Sequence, residues 1–291
     1  MKVTKAVIPA AGLGTRVLPA TKSVPKEMLP IVDRPAIHYI VEEAVRAGIT
    51  DILVITSRGK SSVEDYFDRA PELEERLLAS GKEDLYRQIM EVTHMANIQY
   101  VRQQEAKGLG HAVLCAKSFV GSDPFAVLYG DDVIVSPADK PVIGQLCEAY
   151  SRYGLGVVGI KEVPREEIVK YSSLAVEPLE GRTWRVTDMV EKPAPDRILS
   201  LFSILGRCIL PAEIFSILED TPPGAGGELQ LTDAMRALTR TRGMTGVDYI
   251  GKRYDMGSKL GVLQAIVEVG VAHPEIGEGF REYLREFAGT L

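Results

Sequence analysis

The chain has 291 residues, of which 45% are hydrophobic, and a formal net charge of −6. That length supports one large α/β domain or two modest ones with a sizeable core. No stretch of about 18 apolar residues offers a membrane span, and the acidic balance argues against nucleic-acid binding, which wants a basic face. The amino end, MKVTKAVIPAAG, enters a strand-like run that Pro9 breaks, too early for a secretory signal. Cys115, Cys147 and Cys208 are far apart and form no CxxC or zinc spacing, so they read as small core residues in a reducing cytoplasm.

Taken in chain order, Val3–Pro9 reads as a strand buried on both faces. Ala36–Ala47 is a helix with Ile37, Ile40, Val41, Ala44 and Val45 on one side, opened near Pro35 and closed before Gly48. Ile52–Thr56 is the next strand, Ser61–Phe67 a short helix, and the charged stretch Glu72–Met95 a longer one. A strand at Ile98–Arg102, a helix at Gly110–Phe119, a strand at Phe125–Tyr129 and a helix at Val142–Tyr153 complete a βαβ alternation, which implies right-handed crossovers and a mostly parallel sheet. The second half is less regular. Its expected strands are Gly156–Lys161, Leu174–Glu177, Thr183–Val190 and Ile204–Leu210; its expected helices are Ala212–Leu218, Leu231–Thr241, Lys259–Val271 and Pro274–Phe287. No linker, repeat or low-complexity tract divides the chain. The reading is one domain over 1–291, with a first half (1–153), a second binding half (154–255) and helices at the end (256–291).

Residues 7–29, VIPAAGLGTRVLPATKSVPKEML, run from a strand into a Gly-rich loop and then into cations. The first 26 residues hold five Lys or Arg and no Asp or Glu; at this chain's acidic content such a window arises about once in fifty, so the bias needs a cause. Glycines let backbone N–H groups approach an anion closely, and a cationic patch on an acidic protein suits a small anionic ligand. The loop is neither of the common phosphate fingerprints. GxGxxG fails because Val17 stands at the third glycine, and GxxxxGK[ST] fails because Thr21 precedes Lys22-Ser23.

What is present is Gly-x-Gly-Thr-Arg, then Pro-Lys-Glu-Met, then GLGHAVLCA, the aspartate of YGDD, VEKP, GAGGELQLTDA and YDMG, in order over nearly the whole chain. This series resembles the sugar-phosphate nucleotidylyltransferases, and among them the bacterial UTP–glucose-1-phosphate uridylyltransferases; the long Glu72–Met95 region favours that branch over the thymidylyltransferases. The resemblance implies a Rossmann-like nucleotidyltransferase fold and attack by a sugar-1-phosphate oxygen on the α-phosphorus of UTP, with pyrophosphate leaving. Such chemistry needs positioning and charge neutralisation, not a covalent nucleophile.

It implies that Arg16 and Lys26 grip phosphates as the catalytic cations, with Lys22 less clearly placed, and that Ala11, Gly12 and Gly14 form the nucleotide loop. Gln103 and Gly108 are expected beside the base, because an amide carries both donor and acceptor. Asp131 and Asp255 are the expected Mg²⁺ ligands, with Asp132 undecided between metal and turn. Glu191 and Lys192 are the expected sugar and sugar-phosphate contacts, and Ser172 lies where the family carries a glycine against the sugar. Arg16's loop, Gln103, Asp131 and Glu191 all follow expected strands, at the carboxyl edge where open α/β sheets place ligands. The histidines (His38, His94, His111, His273) show no metal spacing and read as packing or surface residues. A homodimer or homotetramer is also implied.

Three departures fall on the sugar side: Tyr171-Ser172 for Tyr-Gly, Ser200–Ile204 for Ser-Asn-Leu-Ala-Ile, and Gly206-Arg207-Cys208 for Gly-Arg-Tyr. Competing readings are the same chemistry with another sugar-1-phosphate or with dTTP, a non-catalytic nucleotide-sugar sensor, and a Rossmann oxidoreductase, which the missing third glycine disfavours.

Overall fold

The computed structural model describes residues 2–137 and 139–290. Its strands are β1 (Lys5–Pro9), β2 (Pro30–Ile31), β3 (Arg34–Pro35), β4 (Asp51–Thr56), β5 (Asn97–Arg102), β6 (Phe125–Leu128), β7 (Asp132–Val135), β8 (Gly156–Glu162), β9 (Ser172–Glu180), β10 (Thr183–Glu191), β11 (Phe202–Leu210), β12 (Met244–Asp248) and β13 (Lys252–Asp255). Nine of them form one sheet in the order β5-β4-β1-β6-β11-β8-β12-β10-β9. The first four are mutually parallel. Beyond β6 the sheet becomes mixed: β11 is antiparallel to both its neighbours, β8 and β12 are parallel, and β10 is antiparallel to β12 and β9. Strands from both halves of the chain therefore share one sheet.

The apolar strand runs are buried on both faces because side chains alternate between two cores. Ala6 and Ile8 of β1, Ile52 and Val54 of β4, and Ala126 and Leu128 of β6 face one core with the helices Ala36–Arg46 and Val142–Tyr153. Val7, Leu53, Ile55, Phe125 and Val127 face the other, with Leu109–Leu114, Ile214–Asp220 and Leu231–Thr241. Each fully buried aliphatic contributes about 1.5–3 kcal/mol. A two-residue rhythm in the strands and a 3.6-residue rhythm in the helices thus account for a three-layer arrangement.

Several boundaries differ from those expected. The Glu72–Met95 stretch is two helices, Pro71–Ala79 and Glu83–Thr93. Gly81 between them takes φ 70°, the left-handed conformation that ends helices, and Lys82 N closes back on Leu77 O at 2.9 Å. The expected Gly110–Phe119 helix is likewise split, into Leu109–Leu114 and Lys117–Val120. The short strands β7, β12 and β13 and the β2–β3 pair were not anticipated, since pieces of two to five residues carry too little periodicity to register.

One buried ion pair ties the layers together. Arg207 of β11 has no exposed surface, and Glu43 of the Ala36–Arg46 helix is nearly as deep. Arg207 donates to both Glu43 carboxylate oxygens (Nε to each at 3.1 Å, Nη2 to Oε2 at 2.7 Å), to Gly206 O and to Asp132 O at 2.9 Å. Glu43 Oε1 also accepts from Ile143 N at 2.9 Å. Cys208 beside it is buried among the β6 and β8 side chains, so the Gly-Arg-Cys departure lies in the core. Glu43→Ala leaves the guanidinium buried and unpaired and is expected to cost about 3–5 kcal/mol. Glu43→Leu combined with Arg207→Met is expected to recover much of that loss; urea unfolding of the three proteins checks both outcomes.

Candidate active site

Hydrogen bonds carried past the ends of the parallel strands align the segments that follow them. Ala10 N donates to Ile55 O at 2.8 Å, Gln103 N to Thr56 O at 2.9 Å, and Gly130 N to Pro9 O at 3.2 Å. The glycine loop, Gln103 and Asp131 are thus held on one carboxyl edge. Ala11 is buried at the foot of the loop, and Gly14 turns it with φ 67°. A Cβ on Gly12 would lie 3.4 Å from Lys26 Nζ, so the loop backbone passes directly beside that ammonium.

Lys26 Nζ donates to Asp131 Oδ2 at 2.5 Å. Burial alone would lower the lysine's pKa, but the charges of Asp131 and Glu27 outweigh it and raise the pKa above the ordinary value. Asp131 shows the converse. Burial acts to raise its carboxyl, yet Lys26, Arg253 and Arg16 hold it below the usual range. Both groups are therefore charged at neutral pH.

Asp255 arrives from the far end of the chain on the β7–β13 ribbon, where it pairs with Asp132. Met256 N donates to Asp131 O at 2.8 Å, joining the two aspartate segments. Asp255 accepts from Arg16 Nη1 at 3.1 Å and Nη2 at 3.4 Å, and from Gly257 N at 2.8 Å. Arg16 keeps 61% of its side-chain surface exposed, so it is anchored at one end yet accessible to a ligand. Asp132 belongs to the scaffold. It is buried, accepts from Arg253 Nε at 2.8 Å, and is held above the usual carboxylate range by burial, which together with the Asp131 charge outweighs Arg253. The Arg253 guanidinium in turn lies 5.3 Å from the centre of the Tyr171 ring. Lys22 is exposed on the short turn Ala20–Lys22.

Gln103 is buried, and its Nε2 donates to Gly108 O at 3.1 Å and lies 2.9 Å from His111 Nδ1. His111, read from sequence as packing, is thus a partner of the candidate base-reading amide. The loop Lys107–Gly110 pairs with the GELQ segment through Leu229 N to Lys107 O and Gly110 N to Leu229 O, each 2.8 Å.

Glu191 reaches the site by a different route from the one expected. β10 runs opposite to β1, so the carboxyl-edge rule does not place it. Instead the Ser172/Glu191 end of the β9–β10 ribbon lies against β11. Glu191 Oε2 accepts from Thr232 Oγ1 at 2.7 Å, and burial pushes its carboxyl pKa up. Lys192 is exposed, with φ 44°, a conformation rare outside glycine, and its N–H donates to Tyr171 O at 2.8 Å. Ser172 is buried; its Oγ accepts from Ile204 N at 3.1 Å and lies 3.4 Å from Ser203 Oγ. Its hydroxyl is thus partnered within the wall formed by β9 and β11. Two of the sequence departures therefore meet each other inside the structure.

Sequence reasoning missed Glu27, Lys60, Thr232 and Arg253. Glu27 carried a signal, as the first acid after an acid-free stretch and a member of Pro-Lys-Glu-Met, and Thr232 lies within GAGGELQLTDA; Lys60 and Arg253 carried none.

A sequence profile described as Nucleotidyl transferase matches residues 5–270. The chain belongs to the nucleotidyl transferase family. It is similar to a Bacillus subtilis (strain 168) protein named UTP--glucose-1-phosphate uridylyltransferase YngB, with 50% identity over 98% of this chain and 95% of that one. A Staphylococcus epidermidis UTP--glucose-1-phosphate uridylyltransferase is 46% identical over 98% of both chains. Among solved structures, UTP-bound UGPase from Acinetobacter baumannii superposes with a TM-score of 0.91 at 41% identity, over 98% of this chain and 99% of that one. A UDP-glucose pyrophosphorylase complexed with UDP-glucose gives a TM-score of 0.84 at 41% identity, over 92% and 98%. This nucleotidyl transferase thus shares both its sequence motifs and its nine-stranded architecture with the uridylyltransferase branch.

Gly108 tests the loop geometry. It takes φ 98°, and a Cβ would sit 2.7 Å from both Leu229 O and Glu228 Cβ. Gly108→Ala is expected to cost about 1–3 kcal/mol, seen as a lower urea midpoint, with faster amide exchange across Lys107–Gly110.

Proposed function

We propose that this nucleotidyl transferase converts UTP and glucose 1-phosphate to UDP-glucose and pyrophosphate. A phosphate oxygen of the sugar phosphate attacks the α-phosphorus of UTP in line, forming the new P–O bond as the bond to pyrophosphate breaks. The observation that carries this reading is the paired charge array on one rim, Lys26 with Asp131 and Arg16 with Asp255. Phosphate oxygens entering there take the two cations as partners, and the low-dielectric wall strengthens each contact. Charge in this array falls where a triphosphate loses its leaving group. A sensor would have no use for that arrangement.

Each side chain has a task. Lys26 and Arg16 neutralise the leaving phosphates. Gln103 spends its NH₂ on Gly108 and His111, leaving its carbonyl oxygen to accept from the N3–H of uracil, beside the Gly108 backbone. Glu191, set by Thr232, accepts from sugar hydroxyls, and Lys192 pairs with the sugar phosphate. Released from Lys26 and Arg16, Asp131 and Asp255 would hold Mg²⁺. The donor chemistry fits, being two hard carboxylates that leave the remaining positions to phosphate and water. Among the described residues no group of three or more His, Cys, Asp or Glu is placed to hold a metal ion, so these two carboxylates would need phosphate and water to complete the coordination. When bound, the ion supplies charge neutralisation at the phosphates.

A second copy of the chain completes the proposal. The helix Lys259–Ala272 is apolar nearly all round, yet Leu260 and Leu263 are more than half exposed, as is Tyr283 of the following helix. A helix of that pattern is normally covered. Three free thiols suit a reducing cytoplasm as the site of action.

Pyrophosphate release with each NTP against a panel of sugar-1-phosphates, with Mg²⁺ or with chelator, tests the reaction. UTP with glucose 1-phosphate and Mg²⁺ is expected to be the best pair, and no release from any pair would overturn the proposal. Lys26→Ala is expected to lower kcat by about 100- to 1000-fold. Asp131→Asn is expected to remove turnover while changing UDP-glucose affinity far less. Leu263→Asp is expected to reduce the mass seen by light scattering to that of one chain.

A further inference from the structure

Outside the groups that face the rim, one buried titratable cluster lies directly beneath it. Glu27 has no exposed surface and Lys60 is 7% exposed. Lys60 Nζ donates to both Glu27 oxygens, at 2.9 and 2.8 Å, and to Ala10 O at 2.5 Å. Three segments distant in sequence are gathered by this one ammonium: the end of β1 where the glycine loop begins, the Lys26–Met28 turn, and the entry to the helix Ser61–Phe67.

The geometry points to Lys60 as a positioning residue for the phosphate clamp, acting through Glu27 on Lys26. Two carboxylates compete for the Lys26 ammonium: Asp131 on the rim, which accepts its hydrogen bond, and Glu27 within charge range beneath it. A buried carboxylate takes the nearest cation available. Lys60 satisfies both oxygens of Glu27, so Lys26 is left to point at the rim. The same ammonium fixes Ala10 O, and with it the takeoff of the loop whose Gly12 passes beside Lys26. Without Lys60, Glu27 would draw Lys26 inward, and the rim would lose its half-buried cation while keeping its carboxylates.

This inference rests on the proposal that the rim binds the phosphates of UTP, and the test separates the two. Binding of UTP and of uridine is measured by calorimetry for the wild-type chain, Lys60→Met, Glu27→Gln and the double variant. The expected result is that Lys60→Met weakens UTP by about tenfold or more while uridine binding is unchanged, that Glu27→Gln, which removes the competing carboxylate, stays close to wild type, and that the double variant recovers much of the loss. A general disturbance of the cleft would weaken both ligands alike and would overturn the inference, as would unchanged UTP binding in folded Lys60→Met. Lys60→Gln, which keeps a donor without the charge, carries the test in the same measurement if Lys60→Met fails to fold; failure of both to fold would make the pair a folding element only and would equally overturn it. Absence of UTP binding by the wild-type chain would instead remove the proposed function.

Discussion

Four charges held within reach of one another, and prevented from collapsing into the protein, are the constraint on which the site depends. Lys26, Asp131, Arg16 and Asp255 come from the first, middle and last parts of the chain. Left in a flexible loop, such groups would pair in any order and be worth little, as exposed ion pairs are. Here three of them have fixed anchors: a short turn for Lys26, the segment after β6 for Asp131, and the β7–β13 ribbon for Asp255. Arg16 alone is largely exposed, which leaves one side of the array free to adapt to a ligand.

The anchors are themselves charged. Arg207 with Glu43 supports Asp132 O from one side, and Arg253 supports the Asp132 carboxylate from the other. Lys60 with Glu27 supports the turn that carries Lys26. Hydrophobic residues of similar volume could stabilise the fold as well. They could not, however, orient a peptide carbonyl or a carboxylate by hydrogen bonds. The buried pairs therefore have a positional justification: each ends on a backbone or side-chain oxygen that sets the direction of the rim.

Legibility in the sequence followed the length and regularity of each signal. The parallel half was readable because β1, β4 and β6 are apolar on both faces and the helices between them carry clear stripes. Asp131 and Asp255 could be named from motif resemblance, yet nothing in the spacing said that their segments are joined. That junction depends on a four-residue ribbon, β7 with β13, too short to show periodicity, and on Met256 N donating to Asp131 O. Gln103 was legible as a strand-end amide, but its bond to His111 was not, since a lone histidine on a helix looks like packing. Lys60 was illegible for the same reason: a single lysine before a short helix is ordinarily a solvated residue, and only the fold shows it buried.

The mixed half of the sheet explains why the edge rule holds on one side of the cleft and fails on the other. Parallel strands all deliver their carboxyl ends to the same edge, which is why the glycine loop, Gln103 and Asp131 share it. β10 runs the other way, so its terminal Glu191 can join the cleft only because the long β9–β10 ribbon shifts register between Val186 and Asp188 and comes to lie on β11. Hydroxyls from Ser172, Ser173 and Ser200 fasten that contact to the 199–204 segment. The wall that presents Glu191 and Lys192 is thus set by side-chain hydrogen bonds, whereas the rim that presents Asp131 is set by the sheet itself. Substitutions on the two sides consequently carry different meanings. Along the parallel edge they disturb the backbone ladder that aligns the charged groups of the rim, while along the ribbon they can exchange one set of small polar contacts for another, as the paired Ser172 and Ser203 do, and leave the alignment of the charges intact.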